Sequence, residues 1–216
     1  MKQCVILIGG KQGSGKSTMA DMLEWRLKTT GDAFTSRLNF ADILYELHDR
    51  ILSTLSQYVS GIEIKKYGEL LQYLGTDFGR NKIDQDIWVK IMATKIDRWF
   101  SQGFQMKDQF IIVGDQRFQN ELNLEKYLFK GAEVIKVRLE CDRDLRRKRC
   151  NGWRDTEDHP SETDCDGVLK NFDIVIDTDS DIDVSFEFLR TFLLSRRINL
   201  PYLDNTYAAW KASRKK

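Results

Sequence analysis

The sequence predicts an α/β domain in which a mostly parallel sheet is covered by helices on both faces, and three observations carry that expectation. Residues 4–8, 110–113 and 174–176 are short, continuous apolar runs, as strands buried on both faces require. Segments with helical spacing lie between them. The first run ends in Gly9 and Gly10 and passes through a glycine-rich loop directly into a helix. This alternation places ligands at the carboxyl ends of the strands.

In chain order, the run at 4–8 feeds a helix over 17–28, where Met19, Met22, Leu23 and Leu27 recur near helical spacing before Gly31 ends it. A second strand is expected at 37–40, followed by an amphipathic helix over 41–55. A further helical segment at 67–74 is stopped by Gly75 in this reading, and another spans 86–100, with Ile87, Ile91, Ile96 and Trp99 near one face. These three helices form an arm inserted between strands. After the run at 110–113 come a helix over 121–129, a strand at 133–139, a charged stretch at 143–162, the strand at 174–176 and a last helix over 184–194.

A chain of 216 residues fits one such domain, and 41% hydrophobic against 31% charged residues with only 2 prolines is the composition of a globular protein. The formal net charge of +1 gives no global attraction to nucleic acid or membrane. No apolar run approaches about 20 residues, so no membrane span is expected. The first residues lack the pattern of a signal peptide, which implies the cytoplasm and four free thiols at Cys4, Cys141, Cys150 and Cys165. Oligomeric state is not legible, and a homodimer is left open.

Residues 10–17, Gly-Lys-Gln-Gly-Ser-Gly-Lys-Ser, match the phosphate-loop pattern G-x-x-x-x-G-K-[ST] in full, between a strand and a helix. Such a loop points backbone N–H groups at phosphate oxygens and adds the positive end of a helix. Gly13, Ser14, Gly15, Lys16, Ser17 and Thr18 are therefore the expected nucleotide-binding residues, with Lys16 bridging β- and γ-phosphates and Ser17 holding magnesium. The loop alone does not identify what receives the phosphate.

Two further segments narrow the acceptor. Residues 70–77, Leu-Leu-Gln-Tyr-Leu-Gly-Thr-Asp, continue to Arg80 and Trp88-Val89-Lys90, and residues 113–121 read Val-Gly-Asp-Gln-Arg-Phe-Gln-Asn-Glu. This pattern resembles the phage deoxynucleoside monophosphate kinase family, whose members carry LQ-x-x-GT-(D/E) with W-V downstream and a later strand ending in D-x-R-(F)-x-(N)-E. The resemblance covers most of the chain, from the phosphate loop to about Asp177. It implies a P-loop nucleoside monophosphate kinase fold with an acceptor-binding arm at about 42–100, a lid at about 142–162, and transfer from ATP with Mg2+ to a deoxynucleoside monophosphate, in host cytoplasm if the gene is a phage's.

Guanidinium forks suit phosphate, so Arg117 and Arg80 are the candidates for the acceptor phosphate, and Asp115, at the end of its apolar run, is read as linked to the metal. By resemblance, Gln72 and Glu121 would meet the acceptor's base or sugar, and Trp88 would stack on the base. Residues 142–149, Asp-Arg-Asp-Leu-Arg-Arg-Lys-Arg, with Trp153-Arg154 beyond them, read as a lid. Arg143, Arg146, Arg147 and Arg154 are its candidate cations, Arg147 among the catalytic set. His159 and Glu162 are expected to anchor the lid's return to the core.

The sequence departs from the family at Gln12, where some members have a basic residue, and between residues 55 and 67, where relatives are longer. Two rival readings keep the phosphate loop. One is a phage kinase acting on a hydroxymethylated pyrimidine within DNA, which a basic tail carrying Tyr207 and Trp210 would suit. The other is a nucleotide-dependent switch or binding module, in which an arginine-rich lid would go unexplained.

Overall fold

A computed structural model of the chain describes residues 1–102, 107–129, 131–150, 152–153 and 159–214. Among these, five strands form one parallel sheet in the order β2-β3-β1-β4-β5: β1 Gln3–Gly10, β2 Ala33–Leu38, β3 Asp108–Gln116, β4 Glu133–Glu140 and β5 Ile174–Asp177. The central strand β1 is flanked by β3 and β4, which explains why its apolar run is unbroken: both of its faces and both of its edges are covered.

Alternate residues of β1 serve two cores. Cys4, Ile6 and Ile8 pack with α1 (Lys16–Thr29), α7 (Ile182–Ser195) and α8 (Thr206–Ser213), through Met19, Leu23, Phe186, Leu189 and Trp210. Val5 and Leu7 face the opposite layer, where α4 (Ile87–Ser101) contributes Val89, Met92, Ala93 and Ile96, with Leu44 and Leu47 of α2 (Asp42–Ser56) at its border. This is the three-layer arrangement that the alternation of elements predicts.

Several elements differ from expectation. β2 begins earlier, at Ala33, and ends at Leu38, because its pairing with β3 runs from Ala33 opposite Asp108 to Leu38 opposite Val113. Gly75 does not stop a helix: α3 (Gly68–Gln72) runs into a wider π-helical segment, Tyr73–Ile83, whose last turn closes with the Asp84 N–H on the Gly79 carbonyl at 3.0 Å. Gly75 is instead a close-approach residue: Leu44 packs on it, and its carbonyl accepts the Trp88 indole N–H at 2.7 Å and Arg80 at 3.1 Å. Gly79 likewise leaves the space filled by the Trp88 ring, so both glycines serve packing rather than termination.

The buried face of α4 is Trp88, Val89, Met92, Ala93, Ile96 and Phe100, rotated from the one expected; Ile87, Ile91 and Trp99 are only partly buried. The segment after β3 is a 3₁₀ helix, Gln119–Lys126, that ends before the expected 129. Nor is the helix at 182–195 the last, since α8 follows it and packs on α1. In the arm, buried His48 accepts the Tyr67 N–H at 3.1 Å and ties α2 to the start of α3. No helix among the described residues is long and apolar enough to cross a membrane.

Candidate active site

The phosphate loop leaves β1 with Gly10 and enters α1 at Lys16. Gly13 and Gly15 hold φ of +78° and +91°, a left-handed backbone that side chains strain. At Gly13 a Cβ would also lie 2.6 Å from the Arg146 carbonyl oxygen. α1 starts without a side-chain cap and without an acidic residue in its first turn, so its N-terminal dipole is uncompensated. The Ser14 hydroxyl is buried without a hydrogen-bond partner. Lys16 is buried and folds back, donating to the carbonyls of Gly10 at 2.5 Å and Lys11 at 2.7 Å. Burial first, then the neighbouring Arg117 charge, lowers its pKa to about 7.

These groups fit a polyphosphate. An orphaned hydroxyl, a helix start with free N–H groups and an ammonium held in carbonyls are each improved by anionic oxygens. Residues 13–18 line a cavity of about 800 Å³ whose walls at one end are Gly114, Asp115 and Arg117, and at the other Thr178, Ile182 and Tyr207.

At the first end, the Asp115 oxygens accept the N–H groups of Phe40 and Ala41, each at 2.9 Å, just before α2. This sets the carboxylate facing the loop while burial raises its pKa. Each oxygen keeps a further lone pair, so Asp115 and the exposed Ser17 hydroxyl are compatible with a hard cation and its waters. Arg117 donates to Glu162, which with its other oxygen accepts the Gln12 N–H of the phosphate loop at 2.7 Å. Buried Glu162 thus joins the loop to the arginine. His159 caps the short helix α6 (Pro160–Thr163) that carries Glu162, its Nδ1 accepting the Ser161 N–H at 3.1 Å.

Arg80 is turned away from the cavity. It pairs with Glu121 at 3.0 Å and lies 3.9 Å over the Phe118 ring, with burial lowering its pKa. Glu121 is 2% exposed and also accepts the N–H groups of Arg117 at 2.7 Å and Phe118 at 3.0 Å. Desolvation outweighs these donors and raises its pKa to about 7. The expected contact between Glu121 and the acceptor is therefore corrected: its carboxylate holds the turn that aims Arg117. Trp88 is corrected too, being 5% exposed and hydrogen-bonded to Gly75, a core residue without a face to offer a base. Gln72 is exposed on the arm.

Helix α5 (Arg143–Arg149) starts on Asp142, whose side chain accepts the N–H groups of Asp144 and Leu145. Arg146 is buried, donating to the carbonyls of Gln12 and Cys141 at 3.2 Å each, so it braces the outside of the phosphate loop rather than reaching into the cavity. Arg143 and Arg147 are exposed, and Arg154 lies outside the described residues. The arginine of this helix that lines the cavity is Arg149, donating to the Thr178 carbonyl at 2.7 Å. Sequence reasoning passed over it because a run of five basic residues within seven does not say which faces inward. The local signal is spacing: Arg149 follows the buried Arg146 by about one helical turn and, although exposed, reaches a backbone carbonyl of the core from the same side of the helix.

Trp210, which a DNA-contacting tail would expose, is 7% exposed and belongs to the core shared with α1. It is not available as a surface for DNA.

A parallel sheet with β1 feeding a phosphate loop, an inserted helical arm and a basic helix over the loop define a P-loop kinase. The model of the family "Deoxynucleotide monophosphate kinase" matches residues 43–184, and the chain belongs to that family; it is a phosphotransferase of the nucleotide kinase type, acting on a small nucleotide substrate. The match starts after the phosphate loop and takes in the arm, Asp115, Arg117 and α5. Among solved structures, the chain is similar to the TT1252 protein of Thermus thermophilus (17% identity, 92% of this chain and 100% of that one, TM-score 0.56). It is also similar to the APS kinase CysC of Mycobacterium tuberculosis, solved with AMPPNP and APS (14% identity, 89% and 98%, TM-score 0.50). At these identities the likeness is one of fold. No curated protein matches the chain.

Proposed function

We propose that the chain transfers the γ-phosphoryl group of ATP, with Mg2+, to the phosphate of a deoxynucleoside monophosphate. The observation that carries this reading is that one cavity joins an uncapped phosphate loop, holding desolvated Lys16, to Asp115 and Arg117 at the end where the arm is inserted. The family match supports the acceptor class.

In this reading the N–H groups of residues 13–18 and the Ser14 hydroxyl hold the donor phosphates, and Lys16 exchanges two carbonyls for β- and γ-phosphate oxygens. Ser17 and Asp115 would hold magnesium, whose contribution is to neutralise charge on the transferring group. Arg117 positions the acceptor phosphate, one oxygen of which forms the new bond to γ-phosphorus as the bond to the β-bridging oxygen breaks. Positioning and charge neutralisation carry the step, with no covalent enzyme intermediate. Arg80 acts by packing Phe118 and Glu121 behind Arg117. Arg143, Arg147 and Arg154 remain candidates for cations that a moving lid delivers.

The test is to incubate the purified protein with labelled ATP, magnesium and each deoxynucleoside and ribonucleoside monophosphate, modified pyrimidines included, with hydroxymethylated DNA in parallel. Label on a deoxynucleoside monophosphate is expected. Label moving only to DNA, or to neither, overturns the reading.

A further inference from the structure

The second end of the cavity is built by residues that the catalytic reading leaves without a role. Beyond the phosphate loop, away from Asp115 and Arg117, its walls include Arg149, Thr178, Ser180, Asp181, Ile182, Ser185 and Tyr207. The last two lie past the family match, which ends at residue 184, and Tyr207 comes from α8, the C-terminal helix.

Polarity is sorted within this end. The Thr178 hydroxyl is buried and engaged by the carbonyls of Ser14 at 3.1 Å and Glu140 at 3.0 Å. The Ser185 hydroxyl is likewise engaged by the carbonyls of Asp177 and Asp181, both at 3.2 Å. Ile182 and the Tyr207 ring are apolar, half-buried surfaces, while Ser180 and Asp181 form an exposed polar rim. Ile182 and the Tyr207 ring offer apolar surface to the faces of a heteroaromatic base, while the polar groups around them, the Arg149 guanidinium among them, can meet its edge.

Tyr207 is held as a fixed wall. Its N–H donates to Asp183 at 2.7 Å, its ring stacks on Trp210 with centroids 5.4 Å and planes 28° apart, and the Lys211 ammonium lies 4.7 Å from its centroid. Trp210 is itself buried between α8 and α1. The basic, aromatic C-terminal stretch is thus tied to the helix that begins at the phosphate loop.

We infer that Tyr207 is a binding residue for the base of the donor nucleotide, and that α8 closes the donor end of the cavity. The inference rests on the proposed reading in which the donor's phosphates occupy the loop. With the phosphates there and the acceptor at Arg117, the donor's nucleoside lies at the Tyr207 end.

Calorimetric titration of the full chain with ATP and with inorganic tripolyphosphate, at fixed magnesium, separates base from phosphate. In Tyr207→Ala, ATP affinity falls about tenfold and tripolyphosphate affinity is unchanged. An ATP affinity equal to wild type overturns the inference while leaving the donor reading intact. Equal losses for both ligands overturn it as well, by showing that the residue acts only through the loop's folding. A wild-type chain that binds neither ligand fails at the earlier step, the donor reading itself, and the inference falls with it. Should Tyr207→Ala not fold, Tyr207→Leu gives the same contrast, and Tyr207→Phe should recover most of the lost ATP affinity.

Discussion

The two ends of the reaction cavity are prepared in opposite ways. At the phosphate loop, polar groups are left wanting: Ser14 Oγ has no partner, the start of α1 has no cap, and Lys16 settles for two carbonyls. On the acceptor side the charged groups already have charged or backbone partners: Arg117 has Glu162, Arg80 has Glu121 although its Nε is left unpaired, and Asp115 has two backbone N–H groups. The donor end therefore gains its full satisfaction only with a ligand, whereas an acceptor phosphate must compete with ion pairs or join them. Glu162 is the link, because the same carboxylate holds the loop at Gln12.

The largest effect is expected at Lys16. Lys16→Ala should lower kcat on the order of 10²- to 10³-fold, and near-normal turnover would show that the loop is not the donor site. Arg117→Ala should cut acceptor kcat/KM by about 10²-fold with little change in the KM for ATP, and equal losses on both substrates would merge the two ends. Arg117→Lys should recover little, since one ammonium cannot replace a fork.

Glu121→Ala leaves Arg80 buried without its carboxylate, so a stability loss of about 3 kcal/mol is expected in denaturant melts. A loss of acceptor use without destabilisation would restore Glu121 to direct contact. Its titration adds a signature. With the folded pKa raised to about 7 from 4.5, the folded chain holds more protons than the unfolded one between those values, so this group's contribution to stability falls as pH rises from about 4.5 to 7. Glu121→Gln should remove that part of the slope.

A smaller effect is expected at the link: Glu162→Gln should raise the acceptor KM by about tenfold and the ATP KM by less, measured by initial rates. Smaller still is a proton. The Lys16 pKa is depressed from 10.5 to about 7, so the empty loop is increasingly stabilised as pH rises through that window, where the folded chain holds fewer protons than the unfolded. Phosphate oxygens restore the ammonium. ATP binding at about pH 8.5 should therefore take up about one proton, seen in calorimetry across buffers of different ionisation enthalpy and absent in Lys16→Met. No uptake would mean that Lys16 does not meet the phosphates.

What could be read in the sequence divides along the same line. The phosphate loop is a contiguous device: eight residues, a preceding apolar run and a following helical period specify it, because its contacts are made by its own backbone. The parallel sheet was legible for the same reason, since strands buried on both faces leave continuous apolar runs. The acceptor side is assembled from residues 80, 117, 121 and 162, and no local pattern says which carboxylate an arginine will choose. Glu121 and Trp88 looked like ligand contacts as letters in a motif; burial turned one into the support of Arg117 and the other into core. Gly75 read as a helix stop because its close approach to Leu44 and Trp88 cannot be seen along the chain. Only the tertiary structure selected Arg149 from a basic run, and only it brought Tyr207 across to the donor end. Sequence spacing fixes local geometry, while distant pairings are decided by how packed layers exclude water.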